Sequence, residues 1–336
     1  MKKNIDLSIV IPCYQGEQFI QRCLDSVLKI KQIEYEVIII NDGSTDGSSE
    51  MLEQYSMLNE NMRIIHQLNQ GVSNALNNGI QNAEGTYIFV LAIDDWCIPS
   101  TVLNTVILAK EHETDILGFK LAYFDESFNQ TGIKSNHTSE LDTVYRGEVL
   151  LQGSYTPSSI CPFIFSRDLF VSNGIWFVEG ITQNDVEISI RLMLKAQRVM
   201  FVQDIGYCYY RHSNSITTSK SYLRRKQYIK DSVKLIQEIT KTLNSYSMSD
   251  TTNRSVNISK NSVVWNLILR LIVENEVYLI DKKEILNSLT KLGVYPVTGP
   301  LATRFQRISS LFMNQKWLLL MLLKCLTIIR PYKLQN

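Results

Sequence analysis

YEVIIINDGSTDG, residues 35–47, is a β-branched apolar run that stops abruptly in acids, hydroxyls and glycines. Val37 to Ile40 show no polar alternation, so the run predicts a strand covered on both faces, the habit of parallel sheets under helices. The segment after such a strand opens on a ligand crevice. There Asp42 offers a carboxylate to a base imide or a ribose hydroxyl, and Gly43 and Gly47 allow backbone conformations that other residues resist. Taken alone, the same loop is also an ordinary polar turn between a strand and a helix.

Outward from this stretch, apolar strands alternate with amphipathic helices from Leu7 to about Phe119, which predicts βαβ units and a mostly parallel sheet. LSIVIPCY (7–14) reads as the first strand and EQFIQRCLDSVLKI (17–30) as a helix with Phe19, Ile20, Cys23, Leu24, Val27 and Leu28 on one face. A helix follows over 44–58, a short strand over 62–67, and a helix of small and apolar residues over 70–83. TYIFVLAIDDW (86–96) reads as one further strand, delivering Asp94 and Asp95 at a buried strand end. Adjacent aspartates are often only helix caps. Two carboxylates on a rigid strand end also suit a hard divalent cation shared with substrate phosphates.

Residues 122–143 are polar and read as a loop, beside a region able to form an acceptor pocket. Gln183, Asn184 and Asp185 read as a polar turn capping a helix, where a lone aspartate is most often an N-cap. DIGYCYYRHSNSITTSK (204–220) is an aromatic strand breaking into Arg211, His212, Ser213, Ser215 and Thr217, donors that suit a diphosphate or simply form a polar loop. After about Ser221 long helical patterns take over at 221–243 and 261–280, with a Ser/Thr/Asn-rich link at 244–260. KWLLLMLLKCLTIIRPYK (316–333) is the most apolar segment, yet Lys324 interrupts it and it falls short of the roughly 20 apolar residues of a spanning helix. It reads either as an interfacial helix, with Trp317 and the flanking Lys316, Arg330 and Lys333, or as a core or dimer helix.

The 336 residues, 45% of them hydrophobic, are enough for one main domain and a C-terminal extension, here divided as 1–220 and 221–336. With 20% charged residues and a net charge of +1, nothing in the overall charge argues for nucleic acid as a partner. The six cysteines form no CxxC pair, and MKKNIDLSIVIP lacks the pattern of a signal peptide. The expectation is a reducing cytoplasm and mostly structural thiols.

The ordered set IPCYQGEQFIQRCLDSV, EVIIINDGSTDGS, NQGVSNALNNGI, YIFVLAIDDW, NDVEISIRLMLKA and CYYRHSNSIT resembles the family 2 glycosyltransferases of GT-A fold, inverting enzymes of bacterial surface polysaccharide synthesis, over residues 7 to about 218. The resemblance implies a Rossmann-like α/β sheet flanked by helices, a nucleotide-sugar donor with UDP first, and Mn²⁺ or Mg²⁺. Pro12 and Tyr14 match positions bordering the uracil, Asp42 the acid that bonds the base, and Gly71, Ser73 and Asn77 a helix near the nucleotide. Asp94 matches the metal ligand of the DxD motif and Asp95 the acid that follows it. Asp185 matches the catalytic base, Arg211 a donor to the diphosphate, and His212 a residue completing the metal shell. Three positions depart from the pattern: Leu76 stands for an arginine, Ala92 for the first acid of DxD, and Asn184 for a glutamate. The implied acceptor is a glycan or lipid-linked oligosaccharide, reached at the inner face of the cytoplasmic membrane through 316–333.

Two other readings remain open on the sequence. Ala92, Leu76 and Asn184 fit a non-catalytic member that binds a nucleotide sugar or scaffolds an assembly. A sugar-phosphate nucleotidyltransferase would want a basic, glycine-rich loop after the first strand, where PCYQGEQF carries no arginine or lysine until Arg22.

Overall fold

Strands β1 (Leu7–Cys13), β2 (Tyr35–Asp42), β3 (Met62–Gln67) and β4 (Tyr87–Val90) form from the apolar runs and pair in parallel in the order β3-β2-β1-β4. The computed structural model describes residues 4–181, 183, 185–213 and 221–329, and the chain divides into two compact units, Met1–His212 and Ser213–Asn336. Along β1 and β2 alternate residues enter opposite layers: Ile9, Ile11, Val37 and Ile39 pack on one side, Val10, Ile38 and Ile40 on the other. Both faces are therefore apolar, as the unbroken run at 37–40 requires.

The first layer is closed by α1 (Glu17–Val27), α2 (Ser48–Leu58) and, further along, α4 (Pro99–Glu111), through Leu24, Val27, Leu52, Val102 and Val106. The second is closed by α3 (Val72–Asn82), through Ala75, Leu76 and Ile80. Gly79 lets α3 approach β1, since a Cβ there would stand 2.3 Å from Val10 Cγ1. The sheet continues through β5 (Trp96–Cys97), β6 (Ile116–Phe124), β7 (Gln130–Lys134), β8 (Phe163–Ser166) and β9 (Val199–Tyr210) in the order β4-β8-β6-β9-β5, with β7 on β6. β6 and β9 run parallel; β8 joins β4 and β6 antiparallel. The short helices α5 (Gly147–Leu151) and α6 (Arg167–Val171) and the longer α7 (Asp185–Lys195) cover the second face of this half.

The second unit is helical: α8 (Tyr222–Ser245), α9 (Asp250–Val273), α10 (Leu279–Lys291), α11 (Arg304–Met313) and α12 (Lys316–Ile329). Its own core includes Ile236, Trp265, Ile268, Leu286, Leu289, Leu319 and Leu323.

Several elements differ from the sequence expectation. The expected strand 86–96 stops at Val90, turns through Ala92–Asp95, and resumes as β5, because Asp95 N–H closes the turn on the Ala92 carbonyl at 3.0 Å. The expected loop at 122–143 contains the end of β6 and all of β7, an exposed hairpin arm whose polar side chains carry no core-facing periodicity. The expected link at 244–260 is mostly α9, begun by Ser249, whose hydroxyl accepts the Thr252 N–H at 3.2 Å; polar residues here line a helix rather than break it. The helix expected over 261–280 is the end of α9, stopping at Val273, and the start of α10. Arg330 and Lys333, flanking charges of the expected interfacial helix, lie outside the described residues.

Candidate active site

β1 is flanked by β2 on one side and β4 on the other, so the chain's direction of travel reverses at β1, the place where open α/β sheets bind ligands outside the carboxyl ends of their strands. Pro12 pairs in register with Ile40 and Cys13 with Asn41, which places Tyr14, 50% exposed, beside the end of β2. Gln15 takes a positive φ of 52° and lays its amide over the next loop, its carbonyl accepting the N–H groups of Thr45 (2.8 Å) and Asp46 (3.2 Å). Gly43 turns that loop at φ +73°, and a Cβ there would meet Asn69 N at 2.8 Å. Asp42 is buried, with Oδ1 accepting from Gln67 Nε2 and Gln70 N (both 2.8 Å) and Oδ2 from Gly71 N (2.9 Å). A carboxylate has about four acceptor sites, so one donor can still be received.

Asp42 thereby fixes the first turn of α3. Farther along that helix, Ser73 Oγ donates to the Ile181 carbonyl (2.8 Å), while Asn77 bonds both main-chain groups of Phe177, at 2.9 Å to the carbonyl and 2.8 Å from the N–H. The expectation that Ser73 and Asn77 meet the nucleotide is corrected here: both side chains are buried and turned to residues 177–181, an irregular segment with a turn at 179–180. Gly71 stays at the open end of α3, its φ of +87° and free Cβ direction making room beside Asp42. Leu76 completes the apolar layer, which leaves no space for the expected arginine.

The acid turn sorts its two carboxylates. Asp95 is buried, accepting from Tyr207 Oη (2.6 Å) and Tyr210 N (2.7 Å), so it fastens the turn to β9. Burial first, then the charge of Asp94, holds its carboxyl well above the usual range. This corrects its assignment to the nucleotide: both of these bonds tie it to β9, so here it anchors the turn. Tyr207 Oη also accepts the Ala92 N–H at 3.2 Å, so the turn lacking the first DxD acid is secured by a tyrosine. Asp94 is partly exposed, and its Oδ2 lies 3.1 Å from His212 Nε2.

Those two atoms fit a hard divalent ion. Neighbouring ligands of an octahedral ion at about 2.1 Å stand about 3.0 Å apart. Among the described residues no group of three or more His, Cys, Asp or Glu converges, so an ion held by Asp94 and His212 would take its remaining ligands from substrate oxygens and water. Behind them Arg22 Nη2 donates to the Asp94 carbonyl at 2.6 Å. Its guanidinium lies 4.3 Å from the Tyr210 ring, 4.7 Å from Trp96 and 5.0 Å from Phe128. Phe19 and Tyr210 in turn pack on His212 at 4.9 and 5.4 Å.

Arg211 corrects a further expectation. Side chains alternate along the end of β9, so Tyr210 and His212 face Phe19 and Arg22 while Tyr209 and Arg211 face the other way, with Arg211 3.9 Å over the Tyr123 ring. The diphosphate donor implied by the resemblance is turned off the Asp94–His212 face. Ser215 and Thr217 lie outside the described residues, as does Asn184.

Asp185 is the first residue of α7, partly exposed, and burial pushes its carboxyl up to about 6. Glu187 and Arg191, in the same block, form an ion pair at 2.5 Å, and Arg191 also donates to the Trp176 carbonyl at 2.7 Å, locking the start of α7 against the 176–181 segment. Burial, followed by the charge of Asp185, pushes the Cys161 thiol up to about 12. Gln15, Arg22, Cys161 and Tyr207 escaped the sequence reading. Gln15 and Arg22 left faint signals, a polar residue directly after the first strand and a lone cation on an apolar helix; Cys161 and Tyr207 left none.

Comparison with known proteins agrees with this arrangement. A family model described as glycosyl transferase family 2 matches residues 8–172. The uncharacterized glycosyltransferase YibD of Escherichia coli (strain K12) is 28% identical over 243 residues, 68% of this chain and 70% of that protein. Poly(ribitol-phosphate) beta-N-acetylglucosaminyltransferase TarS of Staphylococcus aureus (strain MW2) is 24% identical over 226 residues, 66% of this chain but only 38% of TarS. The crystal structure of TarS 1-349 in complex with UDP-GlcNAc superposes with a TM-score of 0.71 at 17% identity, covering 98% of this chain and 93% of that one. A mannosyltransferase from Pyrobaculum calidifontis in complex with GDP-Man and Mn²⁺ gives 0.55 at 13% identity, over 97% and 88%. The sheet order, the acid turn and these matches agree, and residues 8–172 form a glycosyl transferase family 2 domain.

Proposed function

We propose that this glycosyltransferase is inverting and moves a hexosyl or N-acetylhexosaminyl group from a UDP-sugar to a saccharide hydroxyl, on a lipid-linked intermediate of surface polysaccharide synthesis. The observation that carries the reading is Asp185, a partly exposed carboxylate at the first position of α7, which burial raises to about 6. A general base works best when its pKa approaches the working pH. Asp185 takes the proton of the acceptor hydroxyl as its oxygen bonds the anomeric carbon, while the bond to the diphosphate breaks on the opposite face. Asp94 and His212 would hold a divalent ion, which would supply positive charge against that growing on the diphosphate. Asp42, with Pro12, Tyr14 and Gly71 around it, receives the base. The UDP-GlcNAc complex of TarS supports a UDP-sugar, and the Mn²⁺ complex of the mannosyltransferase supports the metal.

In the same reading the protein works in the cytoplasm and touches the inner membrane face through its last helices. Among the described residues no helix is long and apolar enough to cross a membrane. Phe305, Ile308 and Leu311 on α11 and Trp317 and Met321 on α12 are nevertheless exposed, which supports peripheral contact. Leu319 and Leu323 are core residues, so the membrane test is Leu311→Ser with Trp317→Ser rather than removal of the helix. Sedimentation with vesicles unchanged in that variant removes this part of the proposal.

The deciding experiment is nucleotide release from a panel of UDP-, GDP- and dTDP-sugars with and without Mn²⁺, beside Asp185→Asn. Metal-dependent release from one donor that vanishes in the variant supports the proposal and names the sugar. Donor binding without turnover, even with a lipid-linked acceptor extract, moves the weight to a non-catalytic role, the reading that Ala92 favours.

A further inference from the structure

In the helical unit a cavity of about 300 Å³ lies between α9 and the loop 293–300. Its helix wall is Arg254, Asn257, Lys260 and Asn261, spaced three, six and seven residues from the first and so on one face, and no acidic side chain lines it. Asn261 Nδ2 ties the opposite wall by donating to the Pro300 carbonyl at 3.0 Å. Lys260 Nζ has a neutral partner, Asn257 Oδ1 at 3.0 Å, and neither Lys260 nor Arg254 forms an ion pair among the described residues. Lys260 is not a solvated surface lysine: it is half-buried, and burial presses its pKa down. A partly desolvated ammonium without a carboxylate carries a cost that an entering anion relieves.

We propose that this cavity binds a phosphate ester, with Arg254 and Lys260 supplying the charge and Asn257, Asn261 and the Thr298 hydroxyl the directional bonds. The volume is that of a small-ligand site, enough for a phosphate and the polyol or sugar attached to it. A neutral saccharide would not call for two unpaired cations, and Arg in particular suits the planar spread of phosphate oxygens. The inference deepens the proposed function and rests on it for the source of the ester: the phosphate is the acceptor's, carried by a glycan phosphate or a lipid headgroup, since the donor's own diphosphate belongs at Asp94.

The test is calorimetric titration of the full chain with inorganic phosphate and with glycerol 3-phosphate, in saturating UDP and Mn²⁺ so that the donor site is filled. Binding should weaken on the order of tenfold in Arg254→Gln and further in Arg254→Gln with Lys260→Met, and should fall as salt rises. Arg254 is exposed, so its single substitution leaves the fold intact. Failure of the wild type to bind either probe, or equal binding by the variants, overturns the proposal. UDP affinity measured on the same samples reports the donor site separately: phosphate binding that persists in a chain unable to bind UDP upholds this cavity and removes the donor reading instead. Sedimentation with phosphatidylglycerol vesicles that the double variant loses names a lipid headgroup as the source; glycerol 3-phosphate binding without sedimentation names a soluble or polymeric ester.

Discussion

Asp94 Oδ2 and His212 Nε2 stand 3.1 Å apart across 118 residues of chain, brought together because β9 ends against the acid turn. Tyr207 and Tyr210 of β9 both bond Asp95, which positions the strand so that its next outward side chain on that face is His212. Asp94→Ala and His212→Ala should each weaken Mn²⁺ binding by about tenfold or more, the size expected when an interaction that holds a metal is lost. Manganese titration followed by electron spin resonance reads this directly. Wild-type affinity in both variants would end the metal assignment.

Asp185 predicts a pH profile. A base that ionises near 6 leaves kcat/KM flat above that pH and lowers it about tenfold per unit below it. Stability moves the other way. The folded carboxyl keeps its proton up to about 6 while the unfolded one releases it near the ordinary value of 3.8, so the native state binds the extra proton in that window. Stability from this group therefore falls as pH rises from 3.8 to 6, by roughly 1–2 kcal/mol once its partial exposure is allowed for. Asp185→Asn should abolish turnover and flatten that slope in thermal melts; an acid limb that stays near 6 in the variant would assign it to another group.

Arg22 predicts a split between charge and shape. Lysine keeps the charge but cannot at once reach the Asp94 carbonyl and lie flat among Trp96, Phe128 and Tyr210. Arg22→Lys should lose about 1–2 kcal/mol of stability. It should also weaken Mn²⁺ binding while leaving UDP binding in the absence of metal unchanged. Trp96 fluorescence, shifted by the loss of the guanidinium, provides a signal that a remote structural defect would not give.

The parallel half of the sheet was legible because its strands are apolar on both faces: Val37–Ile40 have no alternative to burial. Asp94 and His212 were legible as types because each follows an apolar strand. What stayed hidden was direction. Asp95 and Arg211 sit one residue from Asp94 and His212, yet Asp95 bonds β9 and Arg211 lies over Tyr123, so neighbours in one motif enter separate surroundings. Hairpin β7 and the first turns of α9 were missed because exposed polar elements leave no hydrophobic period to read.

The last prediction separates support from contact at Asn77. Its amide satisfies both main-chain groups of Phe177, and with Ser73 on Ile181 it holds the segment that carries Asp185. Leucine is close in volume but leaves a buried N–H and carbonyl unpaired, at a cost of about 2–4 kcal/mol. Because Asp42 anchors the other end of α3 independently through Gln70 and Gly71, the donor side should survive. Asn77→Leu should then lower the melting temperature by several degrees and reduce kcat, with UDP affinity unchanged by calorimetry. Should UDP affinity fall while kcat holds, Asn77 meets the nucleotide as the family resemblance implies, and its bonds to Phe177 exchange for that contact when the donor binds.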